Sequence, residues 1–351
     1  MGEQMRVAVG QVSQLTDEIL IFAQQIGVSG VQVNTPVLPG RHRWEYDDLL
    51  ALRQRAEAFG LRLEAIENVP LYFYDRAMLG LPGRDKQIEH YQATIRNIGR
   101  AGIPLLGYHF MPNSVWRTGR VPVGRGGALV TVFDSAEVHT EYQREVLIAR
   151  SSNSGSDDPF DVGTLIVPTH QQVTKERMWE NYEYFIRAVL PVAEESGVKL
   201  ALHPDDPPVP ELGGIARLFC NFDGFRRALE IAGDSPAWGL DLCLGCWSEM
   251  GGEPSVLQAI EYFGRRKKIF YVHFRDVQGT AEHFAECFLG EGNYRPFKVL
   301  RALRDVGFTG FILDDHVPNM VNDSPYGHRG RAHAIGYIQG MLEALKGAER
   351  E

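Results

Sequence analysis

A (β/α)8 TIM barrel with a long insertion after the fourth strand is the fold this sequence predicts, and three observations predict it. Short apolar runs recur eight times along the 351 residues. A helical pattern follows each of them, the alternation expected of a parallel sheet with covering helices. No linker-like stretch divides the chain, whose length suits one barrel with an insertion. We therefore read 1–351 as one domain.

The strand-like runs lie at 7–9, 30–34, 62–67, 105–110, 199–203, 238–243, 269–274 and 310–315. Most are continuously apolar rather than alternating, as strands covered on both faces require. Helical patterns follow at 17–25, 46–59, 85–101, 178–195, 223–232, 255–263, 294–305 and 333–346. Asn221 and Asp223 supply an N-cap signal for one of them. The stretches GVSG, FGLR, SGVK and VGFTG stand where a helix stops on glycine and a strand begins. Residues 113–175 break the rhythm: they lack helical periodicity and contain GRGG and SSNSGSDDP. A loop this long inside a compact domain is expected where it has a function. It would rise from the catalytic face, so we read it as a lid or an oligomer arm.

Composition narrows the function. With 44% hydrophobic and 23% charged residues the chain is ordinary globular material. Its net charge is −9, and no basic run exceeds 265–268, which argues against nucleic acid as a partner. No apolar stretch approaches the ~20 residues of a membrane span. The start, MGEQMRVAVGQV, has no signal-peptide pattern. Four cysteines in so long a chain do not make a disulfide framework. A cytoplasmic, reduced protein is the expectation.

The chemistry gathers at the ends of the late strands. His203 stands in LHPDDPP, Cys243 in GLDLCLGC, His273 in VHFRDV, and Asp315 and His316 in DDHVP. Barrel active sites form where the strands end. Two imidazoles, a thiolate and a carboxylate from four adjacent strands would then meet at one point. Each type alone has a bland structural explanation, but a core has no reason to choose metal-ligand types together. The set suits zinc, iron, cobalt or manganese. Cys243 and Cys246 form a CxxC. We see neither the helix start that a redox dithiol needs nor the second pair of a zinc knuckle. Cys243 is thus the ligand candidate and Cys246 packing or a spare ligand. Asp205 and Asp206, flanked by prolines, would orient a ligand imidazole or bind hydroxyls. Glu67 and His109 end the third and fourth strands, with Trp116 and Arg117 just beyond. The Arg117 guanidinium suits a substrate carboxylate. SPYGHRGRAH supplies Tyr326, Arg329 and Arg331 after the last strand.

Taken together, MRVAVGQ, GVSGVQVNTPVLPGRHRW, EAIENVP, YHFMPNSVWRT, LHPDDPP, GLDLCLGC, VHFRDV, DDHVP and AIGYIQGMLEAL resemble the mannonate dehydratase family, whose barrel is of the xylose-isomerase type. The resemblance implies dehydration of a small sugar acid, D-mannonate to 2-keto-3-deoxy-D-gluconate. It implies a divalent metal, Mn2+ first, with Fe2+, Co2+ or Zn2+ as substitutes. His203, Cys243, His273 and Asp315 would hold the metal. His316 and Tyr326 would be the acid and base, and Glu67, His109, Trp116, Arg117, Asp205 and Arg331 would face the substrate. Relatives of this kind often pair, so the resemblance leaves a homodimer open, while the letters themselves show no self-complementary patch. Asp241 and Asp276 depart from the family pattern and would add negative charge near the metal. GEGN at 290–293 and FRD at 274–276 look like stretches of sugar isomerases and epimerases, which makes such an activity the alternative.

Overall fold

The computed structural model describes residues 4–138 and 173–347. Among them eight parallel strands close into a barrel. In chain order these are β1 (Arg6–Val12), β2 (Gly30–Asn34), β3 (Arg62–Glu67), β4 (Leu105–Tyr108), β7 (Lys199–Leu202), β10 (Trp238–Cys243), β11 (Ile269–His273) and β14 (Phe311–Leu313). Each pairs with the next, and β14 returns to β1 through Arg6–Phe311 and Val7–Ile312. Every predicted strand is found. The fourth and the last stop earlier than expected, which moves His109, Asp314, Asp315 and His316 onto the loops beyond them.

Inside the barrel, small residues make room for large ones. Ala8, Ala65 and Ala201 lie in one buried cluster with Phe270, Tyr271 and Phe311. The Tyr271 and Phe311 rings stack at 4.9 Å. A Cβ on Gly107 would stand 2.3 Å from the Tyr271 hydroxyl, so this strand carries hydrogen there. Outside, the helices cover the strands. They include α1 (Asp17–Gln25), α2 (Tyr46–Glu57), α3 (Asp75–Leu79), α4 (Arg84–Arg100), α5 (Lys175–Glu195) and α6 (Phe222–Ala232). The later ones are α7 (Leu244–Ala259), α8 (Pro296–Asp305) and α9 (His328–Gly347). Their starts follow local chemistry: the side chains of Thr16, Thr174 and Asn221 accept from the backbone N–H three residues on.

Helix α7 differs from expectation. Its pattern suggested a start near 255, but it begins at Leu244 with Cys243 as N-cap and bends at Gly251 and Gly252. The two glycines and Pro254 interrupt the apolar periodicity and mask its first turns in the sequence.

A second sheet lies beyond the strand ends. Its order is β12 (Asp276–Thr280), β13 (His283–Cys287), β6 (Val130–Asp134) and β5 (Gly119–Val121), all antiparallel. Two of its strands come from the insertion and two from the loop after the seventh barrel strand. It packs a small core of its own from Trp116, Phe133, Val277 and Phe284. The insertion is thus a sheet where it is described, and residues 139–172 of the expected lid or oligomer arm lie outside the described residues. No helix among the described residues is long and apolar enough to cross a membrane.

Candidate metal and acid–base site

The ends of β7, β10 and β11 bring His203, Cys243 and His273 together. All three are buried, and one ligand atom of each lies within 4.8 Å of the others. Asp315 completes the group from the loop after β14. Its Oδ2 is 3.6 Å from His273 Nδ1 and 4.0 Å from Cys243 Sγ. Asp315 has a positive φ of 50°, as does Gln11 (61°), whose amide donates to Asp315 Oδ1 at 2.9 Å. Left-handed backbone at non-glycine residues costs of order 1 kcal/mol or more and gathers at functional sites.

The donor set is incomplete without a cation. His203 Nδ1 is 2.7 Å from the Pro204 carbonyl, which fixes that nitrogen as the protonated one and leaves Nε2 as a ligand atom. Neither ring nitrogen of the fully buried His273 has a hydrogen-bond partner among the described residues. Burial would lower both imidazoles, yet the charge of Asp241 raises His203 to about 10 and His273 well above its ordinary value. Burial would likewise raise the Cys243 thiol, but the Cys246 thiol and the Arg275 guanidinium outweigh it and hold it well below the usual range. Surroundings that hold protons on imidazoles this firmly also favour a metal cation in their place.

Asp241 is the ligand-side residue that the sequence reading noted only as a departure. It is fully buried, and neither carboxylate oxygen has a hydrogen-bond partner among the described residues. Its Oδ2 lies 3.4 Å from His273 Nε2, and Glu67 Oε2 lies 3.2 Å from the same nitrogen. Glu67, Asp241 and His273 therefore form a second group able to hold a cation, which shares His273 with the first. Burial acts to raise Glu67, but the facing His273 holds it at about 2. Glu67 also accepts from the side-chain amides of Gln11 and Gln32. The signal for Asp241 was present: one acid inside the otherwise apolar strand WGLDLC.

Toward the second sheet the chemistry changes to matched charges. Both terminal nitrogens of Arg117 donate to Asp206, at 2.6 and 2.9 Å, and one also reaches Glu286 at 3.0 Å. Arg275 is fully enclosed. It donates to Glu286 Oε1 at 2.9 Å, lies 3.3 Å from Asp206, Glu249 and Asp315, and reaches the Cys246 sulfur at 3.1 Å. The buried trio Asp206, Cys246 and Glu249 thus surrounds a guanidinium nitrogen. A Cβ on Gly245 would stand 2.5 Å from Arg275 Nε, which is why CLGC carries glycine between its cysteines. The helix start after Cys243 corrects the expectation that this CxxC lacks one.

His316 is 35% exposed at its side chain. Its Nδ1 is 2.7 Å from Glu286 Oε1 and its Nε2 3.7 Å from Asp315 Oδ1. Burial would lower it, and the neighbouring Asp315 and Glu286 raise it instead. The Tyr326 hydroxyl donates to the Gly10 carbonyl at 2.8 Å, and Arg331 lies over its ring. Arg331 itself binds Asp314 and the Asp315 carbonyl, each at 2.9 Å. His109 is buried; burial and the charge of His203 lower it to about 3, so the ring is neutral, and its Nδ1 accepts from Met111 N–H at 3.2 Å. Asp205 accepts from the Phe219 N–H and is raised to about 6 by burial. In this structure Arg117 and Arg331 face protein carboxylates, one Asp205 oxygen faces backbone while the other has no hydrogen-bond partner among the described residues, and Trp116 lies in the small core of the second sheet.

Asp276 does not add charge at the metal group, contrary to expectation. Its carboxylate accepts from the N–H groups of Val277, Gly290, Gly292 and Asn293 at 3.0–3.1 Å. A Cβ on Gly292 would stand 2.1 Å from it. The FRD and GEGN stretches that suggested an isomerase are the two halves of this turn. Gln11, Gln32, Arg275 and Glu286 were missed by sequence reasoning, because their partners are distant in the chain and meet only in the fold.

Comparison with known proteins shows the family. The family model for D-mannonate dehydratase (UxuA) matches residues 13–351. A mannonate dehydratase of Thermotoga neapolitana is 32% identical over 341 residues, covering 91% of each chain. One from Lactococcus lactis subsp. cremoris is 30% identical over 344 residues, covering 94% of this chain and 95% of that protein. The crystal structure of mannonate dehydratase from Streptococcus suis serotype 2 superposes with a TM-score of 0.83 at 29% identity, covering 100% of this chain and 96% of that one. An L-ribulose 3-epimerase structure reaches a TM-score of 0.59 at 15% identity, which is likeness of fold alone. The chain belongs to the D-mannonate dehydratase family.

Proposed function

We propose that this chain dehydrates D-mannonate to 2-keto-3-deoxy-D-gluconate and water, with His203, Cys243, His273 and Asp315 holding a divalent cation. The observation that carries the reading is the buried meeting of two imidazoles and a thiol, with both ring nitrogens of His273 lacking a hydrogen-bond partner among the described residues. Their mixed nitrogen, sulfur and oxygen character suits zinc, iron, cobalt or manganese, and the resemblance to the mannonate dehydratase family puts Mn2+ first among them. Such a cation, when bound, stabilises the negative charge that develops on the substrate carboxylate as the C2 proton leaves.

The reaction removes the C2 proton and the C3 hydroxyl. The C2–H electrons form the C2–C3 double bond, the C3–O bond breaks, and the hydroxyl leaves as water with an added proton. The enol then gains a proton at C3 and loses the proton on its C2 oxygen, becoming the 2-keto acid. His316 is the residue we assign to proton transfer at C2, since its Nε2 points to the Asp315 end of the pocket. Burial keeps Tyr326 protonated, so it is assigned to protonating the departing hydroxyl, for which its hydrogen bond to the Gly10 carbonyl has to give way. His109, neutral and just beyond the end of the fourth strand, suits a substrate hydroxyl. Glu67 holds the His273 side of the pocket. The partner is the small sugar acid itself. We place the enzyme in the cytoplasm, where the Cys243 ligand stays reduced.

The test is to load purified protein with Mn2+, incubate it with D-mannonate, and follow 2-keto-3-deoxy-D-gluconate by NMR. Product formation abolished by a chelator and restored by metal is the expected result. Aldose–ketose interconversion without loss of water overturns the reading.

A further inference from the structure

We propose that Glu286 is a positioning residue for His316: its carboxylate holds the imidazole with Nδ1 protonated and Nε2 open to the pocket. The inference rests on the assignment of His316 as the proton-transfer group. Glu286 is supplied by β13, the strand that pairs with β6 of the insertion. Its Oε1 accepts from three donors at once, His316 Nδ1 at 2.7 Å, Arg275 Nη1 at 2.9 Å and Arg117 Nη2 at 3.0 Å. The two guanidinium groups keep it anionic and immobile. Arg117 cannot swing away, because Asp206 holds both of its terminal nitrogens. Glu286 is buried, 4% exposed, whereas the His316 side chain is 35% exposed. One end of the imidazole is therefore anchored, and the other lies 3.7 Å from Asp315 Oδ1 at the metal-ligand group.

An imidazole that donates Nδ1–H to a fixed carboxylate offers its Nε2 lone pair for proton transfer. The other tautomer would present an N–H to the substrate and could not take a proton there. The second sheet thus has a task for the reaction without touching substrate: it delivers one carboxylate to one ring nitrogen.

The test has two arms. In the first, 15N NMR of zinc-loaded wild-type protein reads the His316 tautomer, the resonance being assigned by its loss in His316→Asn. Protonated Nδ1 is expected, and protonated Nε2 with bare Nδ1 overturns the proposal. In the second, Glu286→Gln lowers kcat on D-mannonate by about 10²-fold, the scale of one acid–base contribution, with KM and bound Mn2+ near wild type. Combined with His316→Asn, the same change costs less than about twofold, because the two act as a unit. Full additivity overturns it. If wild type does not turn over D-mannonate at all, the functional reading fails while the NMR arm still decides this one. That arm also stands if Glu286→Gln does not fold.

Discussion

The barrel side and the sheet side of the pocket are built on opposite principles. On the barrel side, Glu67, Asp241, Cys243 and Asp315 crowd around two imidazoles, and buried oxygens and ring nitrogens go without hydrogen bonds. On the sheet side, Arg117 and Arg275 alternate with Asp206 and Glu286, and their terminal nitrogens meet carboxylates at 2.6–3.3 Å, although Arg117 Nε, Arg275 Nε and the Glu249 oxygens have no hydrogen-bond partner among the described residues. The first arrangement is unbalanced and calls for a cation. The second carries its own cations. A buried ion network is weak evidence for stability in itself; here its use is to fix the direction of side chains, His316 among them.

The comparison breaks most sharply at the ligands. His203→Ala or Asp315→Ala is expected to remove bound metal and activity together, with little loss of fold in the metal-free protein. Metal analysis beside circular dichroism checks this. Metal retained at wild-type stoichiometry in both variants would overturn the ligand set. The sheet side should behave in reverse. Arg117→Ala leaves Asp206 and Glu286 with one guanidinium between them and should cost about 3–5 kcal/mol of stability, read from urea unfolding. Metal should still bind, since Arg117 touches none of the four ligands. Loss of metal without loss of stability would erase the distinction between the two sides.

His316 stands where the two regions meet, and its removal tests chemistry alone. His316→Asn should keep metal and fold and lower turnover by about 10²-fold or more. An unchanged rate would take His316 out of the mechanism.

Much of this was legible in the letters, and unevenly so. The barrel could be read because parallel strands buried on both faces are continuous apolar runs, and His203, Cys243 and His273 because they end three such runs. The second sheet could not. The burial of β13 alternates only weakly, and its partner β6 lies about 150 residues earlier, so no local pattern announces the pairing. The roles of Arg117 and Arg331 were legible only in part. The sequence gives a guanidinium near a pocket mouth, but not which carboxylate it meets, and in the fold those are Asp206 and Asp314. Asp276 was misread for a related reason: its partners are backbone N–H groups, which sequence does not distinguish.

The smallest effect separates the two cysteines, which belong to different sides. Cys243 faces His203 and His273 and takes only a long contact of 3.6 Å from Arg275, whereas Cys246 faces Asp206, Glu249 and the same guanidinium at 3.1 Å. Cys243→Ser replaces a soft thiolate by a hydroxyl that stays protonated near neutral pH, so metal affinity should fall measurably in a chelator competition. Cys246→Ser keeps a hydrogen-bond acceptor for Arg275 and should leave affinity within about twofold, the change expected when one neutral contact replaces another. A reversed order would move the metal one helical turn along α7, among Asp206, Cys246 and Glu249. Arg275 would then have to vacate that space, and the balance of charge on the sheet side would go with it.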